Sequence, residues 1–229
     1  MKEFFKKRNK KLDNSGIALI TVIVVIGFVS ILATIILYVT GKNYYMKTTD
    51  TKIKASFYTA ETALEMIKAD LLSMSNDAFC EAYKDTMINY TAVANGSDRE
   101  TNYFNAFVDA FEADFNSRLD MTQTKPIEAY FKSVVGAGYE AGLTVDCTAL
   151  DITAASGYLI IEDFTLVYTS SEGYDTIIKT DFLVRAPEVN WYASQSRSAF
   201  PPGADTAAEL SREKHDIAET VIYYNWEKW

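Results

Sequence analysis

The chain has 229 residues, room for one membrane segment and one soluble domain of ordinary size, and 48% of its side chains are apolar. Its formal charge of −9 argues against a dedicated DNA or RNA surface, because phosphate affinity comes largely from Lys and Arg. Two cysteines, Cys80 and Cys147, are too few for a disulfide scaffold; they leave either one bridge closing a long loop or two buried thiols.

The first element follows a short basic head. Residues 1–16 hold six basic side chains (Lys2, Lys6, Lys7, Arg8, Lys10, Lys11) against Glu3 and Asp13, a net +4, which leaves −13 for residues 17–229. Residues 14–41 contain no charge. Ile17 to Thr40, as a helix rising ~1.5 Å per residue, covers roughly 36 Å, enough for a hydrocarbon core of about 30 Å. A secretory signal peptide has an apolar run of only ~7–15 residues with its small-residue site after it. Here Ser15-Gly16 stands before the run. The basic head predicts that residues 1–16 stay cytoplasmic and that everything after Lys42 lies outside.

Beyond the bilayer the helix meets no strong breaker, since no Pro occurs before Pro126 and no Gly between Gly41 and Gly96. Ile53, Phe57, Ala60, Leu64, Ile67 and Leu71 recur at steps of three and four, one stripe of a helix. One continuous helix is therefore expected from Ile17 to about Ser73, its assembly half at 17–40 and its amphipathic half at 41–74. Phe57, Ala60, Leu64 and Ile67 are expected to pack it on a folded head.

Residues 75–142 read as a separate helical insertion. Ser97-Asp98-Arg99-Glu100 has a capping-box pattern, followed by Phe104, Phe107, Val108, Phe111 and Phe115 at helical spacing, a core-facing stripe. A short helix is expected to start near Thr124-Lys125-Pro126 and to end at Gly136. Gly136 to Gly142 then connects helix to strand.

From Leu143 the period becomes two, and residues 143–229 read as an antiparallel sheet. Tyr158, Ile160, Phe164, Leu166 and Tyr168 form one face of a strand. Ser170-Ser171-Glu172-Gly173 is a turn, and Ile178, Phe182 and Val184 alternate with Lys179, Asp181 and Arg185. Leu143–Leu150 and Val221–Trp226 are further strands, with a loop at Ala193–Ala208. The fold class is thus α+β, a long N-terminal helix packed on an antiparallel sheet with additional helices before the sheet.

Catalytic chemistry is thin. The lone His215 sits in a polar run, and there is no nucleophile elbow or phosphate loop. Glu162-Asp163 could offer carboxylates to calcium but lacks the spacing of a defined calcium loop. The chain is expected to be no enzyme and to need no cofactor or metal.

Asn14-Ser15-Gly16 followed by Ile17-Ala18-Leu19-Ile20-Thr21-Val22 resembles the leader of type IV pilins and pseudopilins, a class III signal peptide. Ala55-Ser56-Phe57-Tyr58-Thr59-Ala60-Glu61-Thr62-Ala63-Leu64-Glu65 is similar to a stretch of PilX-like minor pilins. The resemblance covers residues 10–70 and implies a pilin-like fold. It implies cutting by a prepilin peptidase between Gly16 and Ile17, methylation of the new N-terminus, and passage from the cytoplasmic membrane into a filament. Other pilins would contact the assembly helix, including Ile17, Thr21, Val25 and Phe28. The family usually carries Glu at the fifth mature position, here Thr21, a departure that fits a low-copy subunit better than a repeatedly stacked one. The implied role is a minor pilin or pseudopilin that initiates or caps a type IV pilus or type II secretion-like filament, serving adhesion or secretion. The alternative is an unprocessed single-pass anchor carrying an extracytoplasmic binding domain.

Overall fold

Helix α1 runs from Asn14 to Ile88, followed by α2 (Gly96–Arg118), α3 (Pro126–Val135) and five strands: β1 (Leu143–Asp146), β2 (Ala149–Thr153), β3 (Tyr158–Thr169), β4 (Asp175–Arg185) and β5 (Val221–Lys228). The computed structural model describes residues 14–93, 95–136, 138–139, 142–147, 149–153, 157–189, 191 and 219–228. The basic head 1–13, His215 and the expected loop Ala193–Ala208 lie outside them. The arrangement is α+β, as the sequence predicts. The chain divides into two compact units, Met1–Lys52 and Ile53–Trp229.

Within the second unit, α1 does not stop near Ser73. Asn76 to Ile88, expected to start a separate helical insertion, continue α1. The polar run at Ser73 to Asp77 reads as a break only until its partners are known. Ser75 is fully buried and its hydroxyl donates to Thr220 Oγ1 at 3.0 Å. On either side of it Leu71, Met74, Ala78 and Ala82 carry the apolar stripe onward, each at most 2% exposed. Lower in the helix, Ala60, Leu64 and Ile67 are buried as expected and Phe57 packs beside them, whereas Ile53 is exposed.

Helix α2 starts two residues earlier than the capping-box pattern suggests. Asn95 is the N-cap, and its Oδ1 accepts from Ser97 N at 3.1 Å, satisfying one of the free donors of the first turn. Its Phe107, Val108, Phe111 and Phe115 are buried. Helix α3 opens on Pro126 and is closed by Gly136 at φ 80°, the left-handed backbone that glycine adopts without strain.

The five strands form one antiparallel sheet in the order β1-β3-β4-β5, with β2 also on β3. β1 pairs with Thr165–Tyr168 and β2 with Tyr158–Glu162, so the two share one edge of β3 end to end. The single strand expected over Leu143–Leu150 is therefore two. The cause lies in β3, where Glu162 and Asp163 together oppose the single Asp181 of β4. This bulge, with Asp163 at φ 53°, flips the side-chain parity. Leu159 and Ile161 face the core before it, Phe164 and Leu166 after it. Ile160, read from the sequence as sharing a face with Phe164, is on the other side. A second bulge in β5 sets Asn225 and Trp226 against Thr180, with Asn225 also at φ 53°. Asp181 serves both: its Oδ1 accepts from Asp163 N at 2.9 Å, its Oδ2 from Asn225 Nδ2 at 3.1 Å.

An aromatic row ties the layers together. Phe107, Phe111 and Phe115 on α2 lead to Phe131 on α3, then to Phe164, Phe182 and Tyr223 on three adjacent strands, with successive ring centroids 5.0–6.5 Å apart. Such pairs add about 0.5–1.5 kcal/mol each beyond burial. The Phe stripe of α2 is core, as its spacing predicts. Polar staples flank the row. Arg118 contacts Asp114 at 2.8 Å and Asp70 at 3.2 Å, and Tyr130 donates to Asp70.

Candidate functional site

The chemistry-bearing segment of the first unit is the apolar part of α1. From Ile17 to Val39 its large apolar residues are exposed all round the helix, with an 18-residue window of mean hydropathy 3.0 of which nothing is buried. A helix that packs on a soluble core shows one apolar stripe; one that is apolar on every side has to be surrounded by lipid or by other helices. It is long and apolar enough to cross a membrane, a candidate span.

Its polar groups are disposed as an apolar medium demands. Thr21 Oγ1 donates to Ile17 O at 2.9 Å, Ser30 Oγ to Ile26 O at 2.8 Å and Thr34 Oγ1 to Ser30 O at 2.9 Å. Each of these three hydroxyls bonds a carbonyl one turn back, so none of the three would be left unpaired in hydrocarbon. At the distal end Lys42 Nζ lies 5.8 Å from the Tyr38 ring, and Tyr44 and Tyr45 are exposed. Tyrosines beside the first cation after an apolar run match the amphipathic belt at a membrane–water boundary.

The site residues expected from the sequence fall into two groups. Ile17, Thr21, Val25 and Phe28 are all exposed on this segment. Gly16 is in the first turn of α1, so the Gly16–Ile17 bond is helical rather than extended. That turn carries no acidic side chain to stabilise it, and a helical glycine costs about 1 kcal/mol relative to alanine, so the turn opens at little cost. Phe57, Ala60, Leu64 and Ile67 are brought together in the core of the second unit.

Cys80 and Cys147 are both free thiols, not a bridge. Burial, with Asp77 nearby, raises the Cys80 pKa; burial, with Asp146 adjacent, pushes Cys147 up to about 11. Both therefore stay protonated and unreactive near neutral pH. Among the described residues no group of three His, Cys, Asp or Glu side chains is placed to hold a metal ion. Glu162-Asp163 forms the β3 bulge rather than a calcium loop.

Sequence reasoning missed one polar residue. Arg99, which enters the sequence reading only as an inner residue of a capping-box pattern, is 7% exposed, with its guanidinium 3.6 Å from the Tyr90 ring centroid. Its Nε donates to Tyr90 O and Val93 O at 3.1 and 2.6 Å. The only sequence signal is the aromatic nine residues earlier.

The chain matches no protein-family model, no curated protein and no solved structure.

Proposed function

We propose that this chain is a minor pilin or pseudopilin, made as a membrane precursor, cut between Gly16 and Ile17, and assembled into a type IV pilus or type II secretion-like filament through residues 17–40. What supports this reading above all is the pairing of an all-round apolar helix segment directly after Gly16 with a separately cored α+β unit that begins at Ile53. The precursor crosses the cytoplasmic membrane once, with its head outside. Other pilins and the prepilin peptidase are its partners, and the head acts in initiation, capping or adhesion without enzymatic chemistry.

Thr21 supports a low copy number. Its side chain is neutral and its hydroxyl donates to Ile17 O, so it offers no negative charge to a neighbouring N-terminal amine, and an unpaired amine among apolar helices is costly. Counting this protein against total pilin in sheared filaments checks this; parity with a bulk subunit sinks it.

The helical setting of the Gly16–Ile17 bond favours a second reading, an uncut single-pass anchor with an extracytoplasmic binding domain. Mass spectrometry of the mature N-terminus separates the two. A chain starting at Ile17, and a Gly16→Val variant that keeps its leader and leaves filaments, bear out the first. Normal filaments containing uncut Gly16→Val protein refute it.

A further inference from the structure

Between the last turns of α1 and the first half of α2 lies a cleft of about 340 Å³ whose lining includes Asp85, Thr86, Asn89, Arg99, Asn105 and Asp109. The residues divide by depth. Thr86 and Arg99 are 4% and 7% exposed, while Asp85, Asn89, Asn105 and Asp109 are exposed at the rim. Buried polar groups are ordinarily satisfied within the protein, and here they are not. Thr86 Oγ1 is buried with no hydrogen-bond partner. Tyr90, whose ring lies against Arg99, also has a buried hydroxyl without one. Arg99 uses Nε on two backbone carbonyls, and no carboxylate among the described residues pairs with its guanidinium. A buried cation without a counter-ion is costly. Its terminal N–H groups match a carboxylate.

The rim restricts which carboxylate. Asp85 and Asp109 give the lining a net charge of −1 with Arg99, so phosphate and polyanionic ligands are repelled at the mouth. A molecule that carries a carboxylate and an ammonium complements both levels at once. We infer that this cleft binds a free α-amino acid, its carboxylate on Arg99 at the floor and its ammonium at Asp85 and Asp109, with Asn89 and Asn105 contacting its side chain. The site is independent of the filament reading.

Isothermal titration of the full-length chain in detergent micelles, with each L-amino acid in turn and with glucuronate, glucose and inorganic phosphate, tests this. Saturable binding of at least one amino acid is expected, with a dissociation constant of about 1 mM or tighter. The corresponding α-hydroxy acid, which lacks the ammonium, should bind at least about tenfold more weakly, and Asp85→Asn with Asp109→Asn should erase that preference. Arg99→Lys should abolish binding; because that variant disturbs a buried group, the rim variants carry the test if it fails to fold. No amino-acid binding by the folded wild type, binding of glucuronate, glucose or phosphate in place of amino acids, or an ammonium preference unchanged by the Asp variants each overturns the assignment.

Discussion

Single side chains in the sheet do more than their class suggests. Asp181 holds both bulges through one carboxylate, and two neighbouring strands depend on it. Asp181→Ala should lower stability by about 1–3 kcal/mol, because it strips a backbone donor and an amide of their shared acceptor. Asp181→Asn, which keeps an oxygen for Asp163 N, should recover much of this; chemical denaturation of the three proteins measures the difference. Tyr130 gives a pH signature. Burial first, then its donation to Asp70, pushes the phenol up to about 12 from an ordinary 10. The folded state thus favours the neutral form. Its contribution is complete below pH 10 and is lost as the pH rises through about 12. Tyr223, half-buried and bonded to Glu65 at 2.8 Å, is shifted in the same direction. Thermal unfolding followed across this alkaline range should show a smaller loss in Tyr130→Phe than in the wild type, and a smaller one still when Tyr223→Phe is added. Equal losses in all three would show that the phenols do not govern the alkaline limit.

Elements differ in how openly their sequence declares them. On α1, Leu71 is fully buried and Ile36 is 63% exposed, although both lie in apolar stretches. Leu71→Ala should therefore cost about 2–5 kcal/mol of stability. Ile36→Ala should leave the melting of the 53–229 unit unchanged, as read by near-ultraviolet circular dichroism in detergent. The helix was legible as far as its stripe held, at Phe57, Ala60, Leu64 and Ile67. Its end was not, because Ser75 looks like a solvent residue until Thr220, 145 positions away, is seen to receive its hydroxyl. Strand β4 was legible because Ile178, Phe182 and Val184 alternate without interruption. Strand β3 was not, since two residues at Glu162-Asp163 facing one reverse the parity midway, and alternation counted across a bulge assigns half the strand to the wrong side. The cleft escaped detection for a related reason. Arg99 acquires its environment from Tyr90 and Val93 through the chain reversal between α1 and α2, and no local period encodes it.

At the scale of the whole molecule, the two units differ in what they bury. The second unit has its own core, with Trp191, Phe164, Phe182 and Leu71 fully buried, while the first has no buried apolar residue in its 18-residue window. Full-length protein should pellet with membranes and resist alkaline carbonate extraction, whereas residues 53–229 alone should stay in the soluble fraction and unfold cooperatively. Fractionation and calorimetry read out both. The internal tethering of Thr21, Ser30 and Thr34 has a consequence for recognition. With these three hydroxyls turned back upon their own turns, the greasy stretch from Ile17 to Leu37 offers neighbours contour and nothing directional by which one companion could be told from another. A chimera in which residues 17–37 are exchanged for an unrelated apolar sequence of equal length should keep the same cross-linked associates, because the vocabulary of partner choice is written elsewhere along the chain.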